Sequence, residues 1–346
     1  VGFAAPTALA AITFSKYLSR ALPGTPVTAS AVGLVTLLTL VHATHRRTSG
    51  GVQVAFTAIK VGLIVVFCIG AMLVAGDIQP IVFSPQQGDI ALMTGGAFAV
   101  SLIYVSYAYT GWNVATYLSS ELENPQRNLP WVLGGGTLLV ALLYLALNFV
   151  FLKVAPIDAM RGQVEVGYIA AEYAFGSGIA RIMGVILALL LISTVSAMII
   201  AGPRVYQAIG QDHSLFAVFA STNRFGVPAF AIYFQGVVTI IFIVTSSFEF
   251  ILKFSCFILA LISLATVVGL FVLRWREPDR PRPFRAWGYP VTPIIFLALP
   301  GWTLWYVFTD EPLTGLRALG IIAAGVVSYA LSARFDNTNA AATPQD

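Results

Sequence analysis

The feature that most constrains the fold of this chain is a series of about ten apolar stretches, each close to the length of a membrane-spanning helix. The hydrocarbon core of a bilayer is about 30 Å thick, and about 20 apolar residues in a helix cross it. Only 10% of the residues are charged and 58% are hydrophobic, whereas soluble domains carry about 25% charged residues. The sequence therefore predicts an all-α polytopic membrane protein.

The apolar stretches give approximate limits for the spans. Backbone groups inside a bilayer have no water to bond, so each span is expected to be a helix that satisfies its own backbone. The predicted spans cover residues 1–22, 28–43, 52–76, 93–119, 131–154, 179–201, 227–246, 249–273, 288–309 and 313–333. Between the fifth and sixth spans, the sequence EVGYIAAEYAFG predicts a short additional helix.

Basic residues are distributed unevenly between the two sides of the membrane. The 44–51 loop and the other loops on its side carry eleven arginines, while the opposite side carries five basic residues. Cytoplasmic loops are enriched in Lys and Arg, so we expect both ends of the chain to be cytoplasmic, in an integral protein of the plasma (inner) membrane. No run of basic residues could follow a phosphate backbone, and nucleic acid is not an expected partner.

Cysteine and histidine give no sign of a metal or catalytic site. Cys68 and Cys256 are isolated within apolar stretches, where we expect them to be small core residues. His42, His45 and His213 lie at cytoplasmic edges without metal-ligand spacing and are expected to be solvated. The sequence also has no paired intramembrane carboxylates and no nucleophile-base arrangement, so we predict neither an enzyme, nor a metal, nor a cofactor.

The stretch from residue 103 to 130 departs from the pattern of a simple span. Its sequence is IYVSYAYTGWNVATYLSSELENPQRNLP, with aromatic residues, a glycine and polar residues in the middle. Helix-weakening residues are tolerated at membrane depth only where they face protein or a polar cavity, and many transporters bind substrate at a broken helix. We predict a break near residues 107–113; the alternative is an intact helix that tolerates one glycine.

Three motifs along the chain resemble those of the amino acid, polyamine and organocation (APC) transporter superfamily. The sequence AYTGW at 108–112, with the Asn-Pro-x-Arg-Asn-x-Pro loop at 124–130, resembles its sixth-helix signature. The sequence LRWREPDRPRPFRAWGYPVTP at 273–293 is similar to the loop between the tenth and eleventh helices of its L-type-like amino acid permease branch. In the same branch, TAIK at 57–60 resembles the Thr-x-x-Lys of the fifth helix.

The resemblance implies an inverted-repeat transporter fold of twelve helices, in which this chain would begin at the third. Residues 1–76 would be the remainder of the first repeat, 77–276 the second repeat, and 277–333 two C-terminal helices. The polar residues 334–346 are expected to be a disordered cytoplasmic tail. Because residue 1 is Val and an apolar stretch follows at once, we expect an N-terminally truncated fragment that lacks the family's other broken helix.

The predicted break supplies the candidate substrate site. Carbonyl groups freed at a helix end can accept the ammonium group of an amino acid, and helix-end dipoles favour a zwitterion. The resemblance implies that Tyr107 is an aromatic gate and that Asn113 is a polar residue of the pocket. The candidate substrate-binding residues are Tyr107, Ala108, Tyr109, Thr110, Gly111, Trp112 and Asn113.

Lys60 lies well inside the third predicted span, where a charge needs a polar partner. The resemblance implies that Lys60 substitutes for a bound cation and ties the family's fifth helix to the broken first helix and to the eighth. The alternative is a lysine that extends to the membrane surface. Ser193, Thr194 and Ser196 are a possible polar lining in the sixth span, although such hydroxyls also bond to their own helix. We do not predict a sodium site.

A cytoplasmic gate is predicted from Glu121 and Arg127, near the end of the 103–130 stretch. Many relatives have two adjacent acids before the Asn-Pro loop, whereas this chain has a serine at the first of these places. The contacts of that missing acid cannot be carried over from the family. We expect Glu121 to pair with a cytoplasmic arginine and to control the gate.

These features predict a secondary active transporter that moves a small-molecule amino acid across the lipid bilayer by alternating access. An exchanger and a proton-coupled symporter both fit. The alternatives are a non-transporting amino acid sensor and a degenerate transporter remnant. The sequence identifies neither the amino acid nor a partner subunit, although aromatic walls at Tyr107 and Trp112 favour neutral substrates.

Overall fold

The structure is a computed structural model that describes residues 2–44, 50–74, 76, 81–112, 123–282, 284–310 and 312–342. Within these ranges the chain is helical and contains no strand. The predicted all-α fold is therefore confirmed.

The described helices account for every predicted span. In chain order they are α1 (Ala4–Ala21), α2 (Val27–Thr44), α3 (Gly50–Val74), α4 (Asp89–Met93), α5 (Gly96–Ala108), α6 (Pro125–Val154), α7 (Ile157–Met160), α8 (Val166–Phe175), α9 (Ser177–Asp212), α10 (Ala217–Ala220), α11 (Ala229–Thr245), α12 (Phe248–Arg276), α13 (Val291–Asp310) and α14 (Pro312–Ala342). A 3-10 helix, Ser214–Phe216, lies between α9 and α10. The short helix predicted between the fifth and sixth spans is α8.

Seven of the described helices are long and apolar enough to cross a membrane: α2, α3, α6, α9, α12, α13 and α14. α5 and α11 are shorter apolar helices, and α1 has 18 residues but is less apolar than the seven. Together they occupy the positions of the spans predicted from the sequence. The chain is therefore a polytopic integral membrane protein.

α6 and α14 each differ from their predicted limits at one end. α6 begins at Pro125 rather than near residue 131, because proline is favourable at the first position of a helix, where its missing N–H would have no helical partner. α14 continues past Arg334 to Ala342, where the sequence predicted a disordered tail. After Pro312 the next proline is Pro344, and the alanines just before Thr343 favour a helix.

α9 is longer than predicted because it continues through a proline. It extends to Asp212 instead of ending near residue 201, with Pro203 inside it. A proline within a membrane helix is tolerated where neighbouring helices satisfy exposed backbone groups. Five residues before Pro203, Gln235 of α11 donates a hydrogen bond from Nε2 to the carbonyl of Met198 at 3.0 Å, so α11 contacts the backbone of α9 near the proline.

The chain divides into two compact units. The first unit comprises Val1–Val82, Leu143–Ile251 and Gly325–Asp346, and the second comprises Phe83–Leu142 and Leu252–Ala324. Each has its own helix packing, which positions a different part of the candidate site.

In the first unit, α1 is enclosed by α9, α2 and α11. Most residues of α1 are buried, and alanine predominates among them. Small residues at helix interfaces allow backbones to approach closely, which increases van der Waals contact between helices. The same principle operates between α2 and α11, where a Cβ atom added to Gly236 would lie 2.6 Å from Thr39 Oγ1.

The short helix α8 is held to the rest of the first unit by apolar and polar contacts. Its buried face belongs to a cluster that includes Phe67 of α3. Just before α8, the carboxylate of Glu165 accepts a hydrogen bond from Arg20 Nε at 2.8 Å. The Tyr17 hydroxyl accepts a hydrogen bond from the backbone N–H of Gly167 at 3.3 Å. The start of α8 is therefore fixed to the C-terminal part of α1.

In the second unit, α5 packs against α13. A Cβ atom added to Gly96, at the start of α5, would lie 3.0 Å from the ring of Tyr306, and the Tyr306 hydroxyl donates to the carbonyl of Thr94 at 3.4 Å. A cavity of about 620 Å³ lies beside this contact, lined by Gly96, Ala97, Val100, Tyr306, Thr309 and Asp310. The contact fixes the start of α5, and the direction of the helix axis then determines where its last residues lie.

The close approach of α2 and α11 predicts that one glycine substitution destabilises the protein and that a matched one does not. Gly236→Ala should lower the melting temperature of the purified protein, because its Cβ would overlap Thr39 and overpacking typically costs about 1–3 kcal/mol. Gly33→Ala on α2 is the matched control, because nothing lies within 4 Å of its added Cβ. Thermal unfolding in detergent checks both variants. Equal melting temperatures for the two would contradict the packing described here.

Candidate functional site

The predicted substrate segment lies where α5 ends. α5 ends at Ala108, and the next two N–H groups bond three residues back: Tyr109 to the carbonyl of Ser106 at 3.2 Å, and Thr110 to the carbonyl of Tyr107 at 3.0 Å. Such bonds tighten and terminate a helix. Helical bonding therefore stops within the 107–113 segment, as the sequence predicted. Of the residues named for this site, Asn113 lies outside the described ranges.

Gly111 sets the direction of the chain after the helix. Its φ angle is +101°, in a region that residues with a Cβ atom rarely adopt. Thr110 adds a bond from its hydroxyl to the Tyr107 carbonyl at 2.7 Å, and the Trp112 side chain is 43% exposed. The last carbonyls of a helix carry partial negative charge, so this turn combines an aromatic surface with groups that attract an ammonium ion.

Arg127, one of the two predicted gate residues, lies in the first turn of α6 and is exposed. Its N–H bonds to the carbonyl of Asn124 at 3.0 Å, and Asn124 has a positive φ of 46°. The Asn128 side chain donates to the carbonyl of Glu123 at 2.6 Å. These bonds build the start of α6 in the Asn-Pro loop. Glu121, the predicted partner of Arg127, falls outside the part of the chain that the structure describes.

Lys60 bonds directly to α9. Lys60 is half-buried, and its Nζ donates a hydrogen bond to Thr194 Oγ1 at 2.9 Å. A lysine within a membrane span is costly without a polar partner, and Thr194 supplies one. In the helix order that the resemblance implies, α3 would be the fifth helix and α9 the eighth, which is the pair expected for this lysine.

The neighbouring hydroxyls of α9 also bond to other helices. Ser193 Oγ lies 3.3 Å from Gln53 Oε1 on α3, and Ser196 Oγ lies 2.8 Å from His42 Nε2 on α2. Each of the three hydroxyls that the sequence suggested as a polar lining therefore contacts a polar side chain of α3 or α2. These contacts join different helices, so bonding within α9 alone does not account for them.

His42 was expected to be solvated, and that expectation is wrong. Its side chain is buried, with 8% exposure. His42 shares a face of α2 with Val35 and Thr39, which are also buried, and this spacing of three to four residues is the sequence signal that could have placed it inside. His213 packs its ring against Tyr329 with ring centroids 5.4 Å apart. His45 is not among the described residues.

The predicted site residues are divided between the two units of the chain. Lys60, Ser193, Thr194 and Ser196 lie in the first unit, on or against α9. The segment 107–112 and Arg127 belong to the second unit. Gln53 and His42, which the sequence did not single out, complete the polar contacts around α9.

The described part of the chain contains no cluster of metal-binding side chains. No group of three or more His, Cys, Asp or Glu side chains is close enough there to hold a metal ion. Cys68 and Cys256 are both free thiols, the first partly buried and the second buried. The polar centre around α9 therefore offers hydroxyl, amide, imidazole and ammonium groups.

Comparison with known proteins gives the family. Residues 1–311 match the family model described as amino acid permease. The large neutral amino acids transporter small subunit 2 of Oryctolagus cuniculus is 30% identical over 342 residues, which cover 94% of this chain and 62% of the rabbit protein. The human protein of the same name is 29% identical, with the same coverage. The b(0,+)-type amino acid transporter 1 of Mus musculus is 27% identical over 293 residues, covering 80% of this chain and 58% of the mouse protein.

The chain spans about three-fifths of the length of the relatives that it matches. All three are transporters by name, and none is an enzyme. The family model covers most of the chain and the same branch of relatives recurs. The chain belongs to the amino acid permease family, in the L-type branch of the amino acid, polyamine and organocation superfamily.

Proposed function

We propose that this chain forms part of a secondary active transporter that moves neutral amino acids across a membrane by alternating access. Membership of the amino acid permease family supports transport as the activity. The printed names of the relatives support an amino acid as the substrate, and one of them specifies large neutral amino acids. The observation that carries the proposal is the bond between Lys60 and Thr194, because it provides a fixed positive charge between two membrane helices.

The proposed substrate site is the turn after α5. The substrate ammonium is bound by carbonyl groups at the end of α5, where the helix dipole is negative. Tyr107, Tyr109 and Trp112 surround an apolar side chain, since aromatic rings provide large apolar surfaces with few rotatable bonds. In this proposal Asn113 adds a polar contact, and Tyr107 closes over the bound amino acid.

The proposed role of Lys60 is to replace a bound coupling cation. A mobile cation at this position would link α3 and α9 only while bound, whereas a lysine side chain is always present. Its three N–H donors allow it to keep Thr194 and to bond a second polar group as the helices move. Ser193, Ser196, Gln53 and His42 lie on the same or neighbouring helices and supply further polar partners around α9.

Glu121 and Arg127 are proposed to form the cytoplasmic gate. Arg127 is exposed at the start of α6, where an approaching carboxylate can pair with it. The proposed orientation has both ends of the chain in the cytoplasm of a plasma (inner) membrane protein, which places the Asn-Pro loop and the arginine-rich loops on that side.

A partner subunit is a further part of the proposal. The rabbit and human relatives are named as small subunits, which implies a second, larger subunit in those proteins. In this chain both cysteines lie inside apolar helices, Cys68 in α3 and Cys256 in α12. A subunit bound through residues 1–346 would therefore be held by non-covalent packing rather than by a disulfide outside the membrane helices.

Transport is tested by purified protein in proteoliposomes with labelled leucine. Accumulation of label inside the vesicles is expected. Stimulation by internal unlabelled leucine would identify an exchanger, and stimulation by an inward proton gradient would identify a symporter. Binding of leucine to the protein without accumulation under either condition would contradict transport and favour a sensor.

Loss of Lys60 should abolish uptake while leaving the amount of folded protein unchanged. In Lys60→Ala, uptake should fall at least about tenfold, since a hydrogen bond to a charged group contributes about 1.5–3 kcal/mol. Thr194→Ala should have the same effect and Thr194→Ser should not, because serine keeps the hydroxyl. Lys16→Ala on α1 is the matched control and should transport normally. Near-normal uptake by Lys60→Ala would overturn the proposed role.

The double variant Lys60→Ala/Thr194→Ala separates a direct contact from two independent effects. If the bond is the functional unit, the second substitution should add little to the first. Additive losses would show that the two residues act separately.

Gly111→Ala should weaken leucine binding about tenfold. Nothing would lie within 4 Å of the added Cβ, so the effect is conformational: φ is +101°, and a left-handed backbone costs a residue with Cβ about 1–2 kcal/mol. Gly134→Ala on α6 also meets open space but has no such angle, and it should bind normally. Leucine titration of both purified variants checks this. Equal affinities would mean that the turn at Gly111 does not position the substrate.

A further inference from the structure

The connection between α12 and α13 concentrates arginine and exposed tryptophan. Residues 274–287 contain five arginines and only two acids, Glu277 and Asp279. Trp275 and Trp287 are each 82% exposed, the highest values among the exposed large hydrophobic residues of the described chain. The segment begins in the last turn of α12, a candidate membrane span, and ends just before α13, another. It therefore lies at a membrane surface.

One arginine fixes this connection to the end of α12. The guanidinium carbon of Arg274 lies 3.6 Å from the centre of the Tyr289 ring. The same ring packs against Phe271, with ring centroids 5.5 Å apart. An arginine stacked on an aromatic ring is held both by dispersion and by the attraction of its charge to the ring face. These contacts hold the end of the connection against the end of the helix.

Two further arginines build the loop itself. Arg280 Nη1 lies 2.7 Å from Glu277 Oε2, so one of the two acids is already paired within the loop. Arg282 donates hydrogen bonds to three backbone carbonyls between residues 277 and 280, at 2.6, 2.7 and 3.0 Å. The turn is therefore an organised structure with a net positive charge.

The two remaining arginines of the connection are Arg276 and Arg285. Both are exposed, and no ion pair among the described residues involves either of them. Each lies beside an exposed tryptophan in the sequence: Arg276 follows Trp275, and Arg285 precedes Trp287 by two residues. The loop thus presents two pairs, each of one cation and one amphipathic ring.

This combination matches the chemistry of a phospholipid surface. Tryptophan is enriched at membrane–water interfaces, where its ring lies at the level of the headgroups. The planar guanidinium group binds phosphate oxygens through two parallel hydrogen bonds. Basic clusters next to a membrane span are attracted to anionic lipids, and each arginine strengthens that attraction.

We propose that the α12–α13 connection binds the headgroups of anionic phospholipids, with Arg276 and Arg285 on the phosphates and Trp275 and Trp287 in the headgroup layer. The site uses neither the proposed substrate residues of α5 nor the residues that make the polar contacts around α9. It does not depend on which amino acid is transported, or on transport itself. Its function is to hold the end of α12 and the start of α13 at a fixed depth in the membrane.

The experiment measures lipid binding to the purified, delipidated protein in detergent by native mass spectrometry. Phosphatidylglycerol should bind to the unmodified protein more tightly than phosphatidylcholine, and this preference should decrease as the salt concentration rises. In the double variant Arg276→Gln/Arg285→Gln, phosphatidylglycerol affinity should fall about tenfold or more, because two phosphate-binding cations are lost. Binding of phosphatidylcholine should not change.

A matched double variant controls for the loss of charge alone. Arg161→Gln/Arg181→Gln removes the same number of arginines from exposed positions of the first unit, and it should keep the affinity for phosphatidylglycerol. Arg276→Lys/Arg285→Lys keeps the charges and should retain most of the binding. Because all four positions are exposed, we expect each variant to fold, and its melting temperature checks this.

Three results would overturn the proposal. The first is unchanged phosphatidylglycerol affinity in Arg276→Gln/Arg285→Gln. The second is an equal loss in Arg161→Gln/Arg181→Gln, which would mean that net charge alone determines lipid binding. The third is competition by glycerol phosphate at concentrations equal to those of the lipid, which would identify a site for a soluble anion instead of a membrane surface.

Discussion

Backbone hydrogen bonding in the absence of water is the constraint on which the rest of this structure depends. In the hydrocarbon layer a helix satisfies its own N–H and C=O groups, and the described chain is helical across every long apolar stretch. The end of α5 departs from that rule at Ala108. Thr110 reduces the cost, because its N–H and its hydroxyl both bond the carbonyl of Tyr107. The end of α5 and the turn that follows it are the part of the chain that we propose for the substrate.

Polar side chains within the spans obey the same constraint. Lys60, Gln53 and His42 would each be costly in hydrocarbon, and each contacts a hydroxyl of α9. Those hydroxyls occupy positions 193, 194 and 196. The contacts therefore determine which helices lie beside α9, and they also fix its rotation about its own axis. A polar network of this kind specifies one helix arrangement more strictly than apolar packing, which tolerates small rotations.

Much of the fold could be predicted from the sequence, because span length and backbone satisfaction are local properties. The positions of the spans and the end of α5 follow from apolar length and from the composition around Gly111. The contacts of Lys60 and His42 could not be predicted in full, because they depend on which helices meet. For His42, an edge position suggested water, whereas the packing of α2 against its neighbours buries it. The structure continues α14 to Ala342, beyond the predicted limit at residue 333, because a polar composition alone does not stop a helix. The proposed gate and Asn113 remain predictions.

The enclosure of α1 has a consequence for how the protein is assembled in the membrane. α1 is less apolar than the seven long spans and carries Lys16 and Arg20, so it gains less than they do from contact with lipid. Its alanine-rich surface is instead covered by α9, α2 and α11, two of which are synthesised long after it. During biogenesis α1 is therefore inserted before α9 and α11 have been synthesised, and its buried surface is covered only when those helices pack against it. The stability of α1 is a property of the assembled first unit and not of the helix alone.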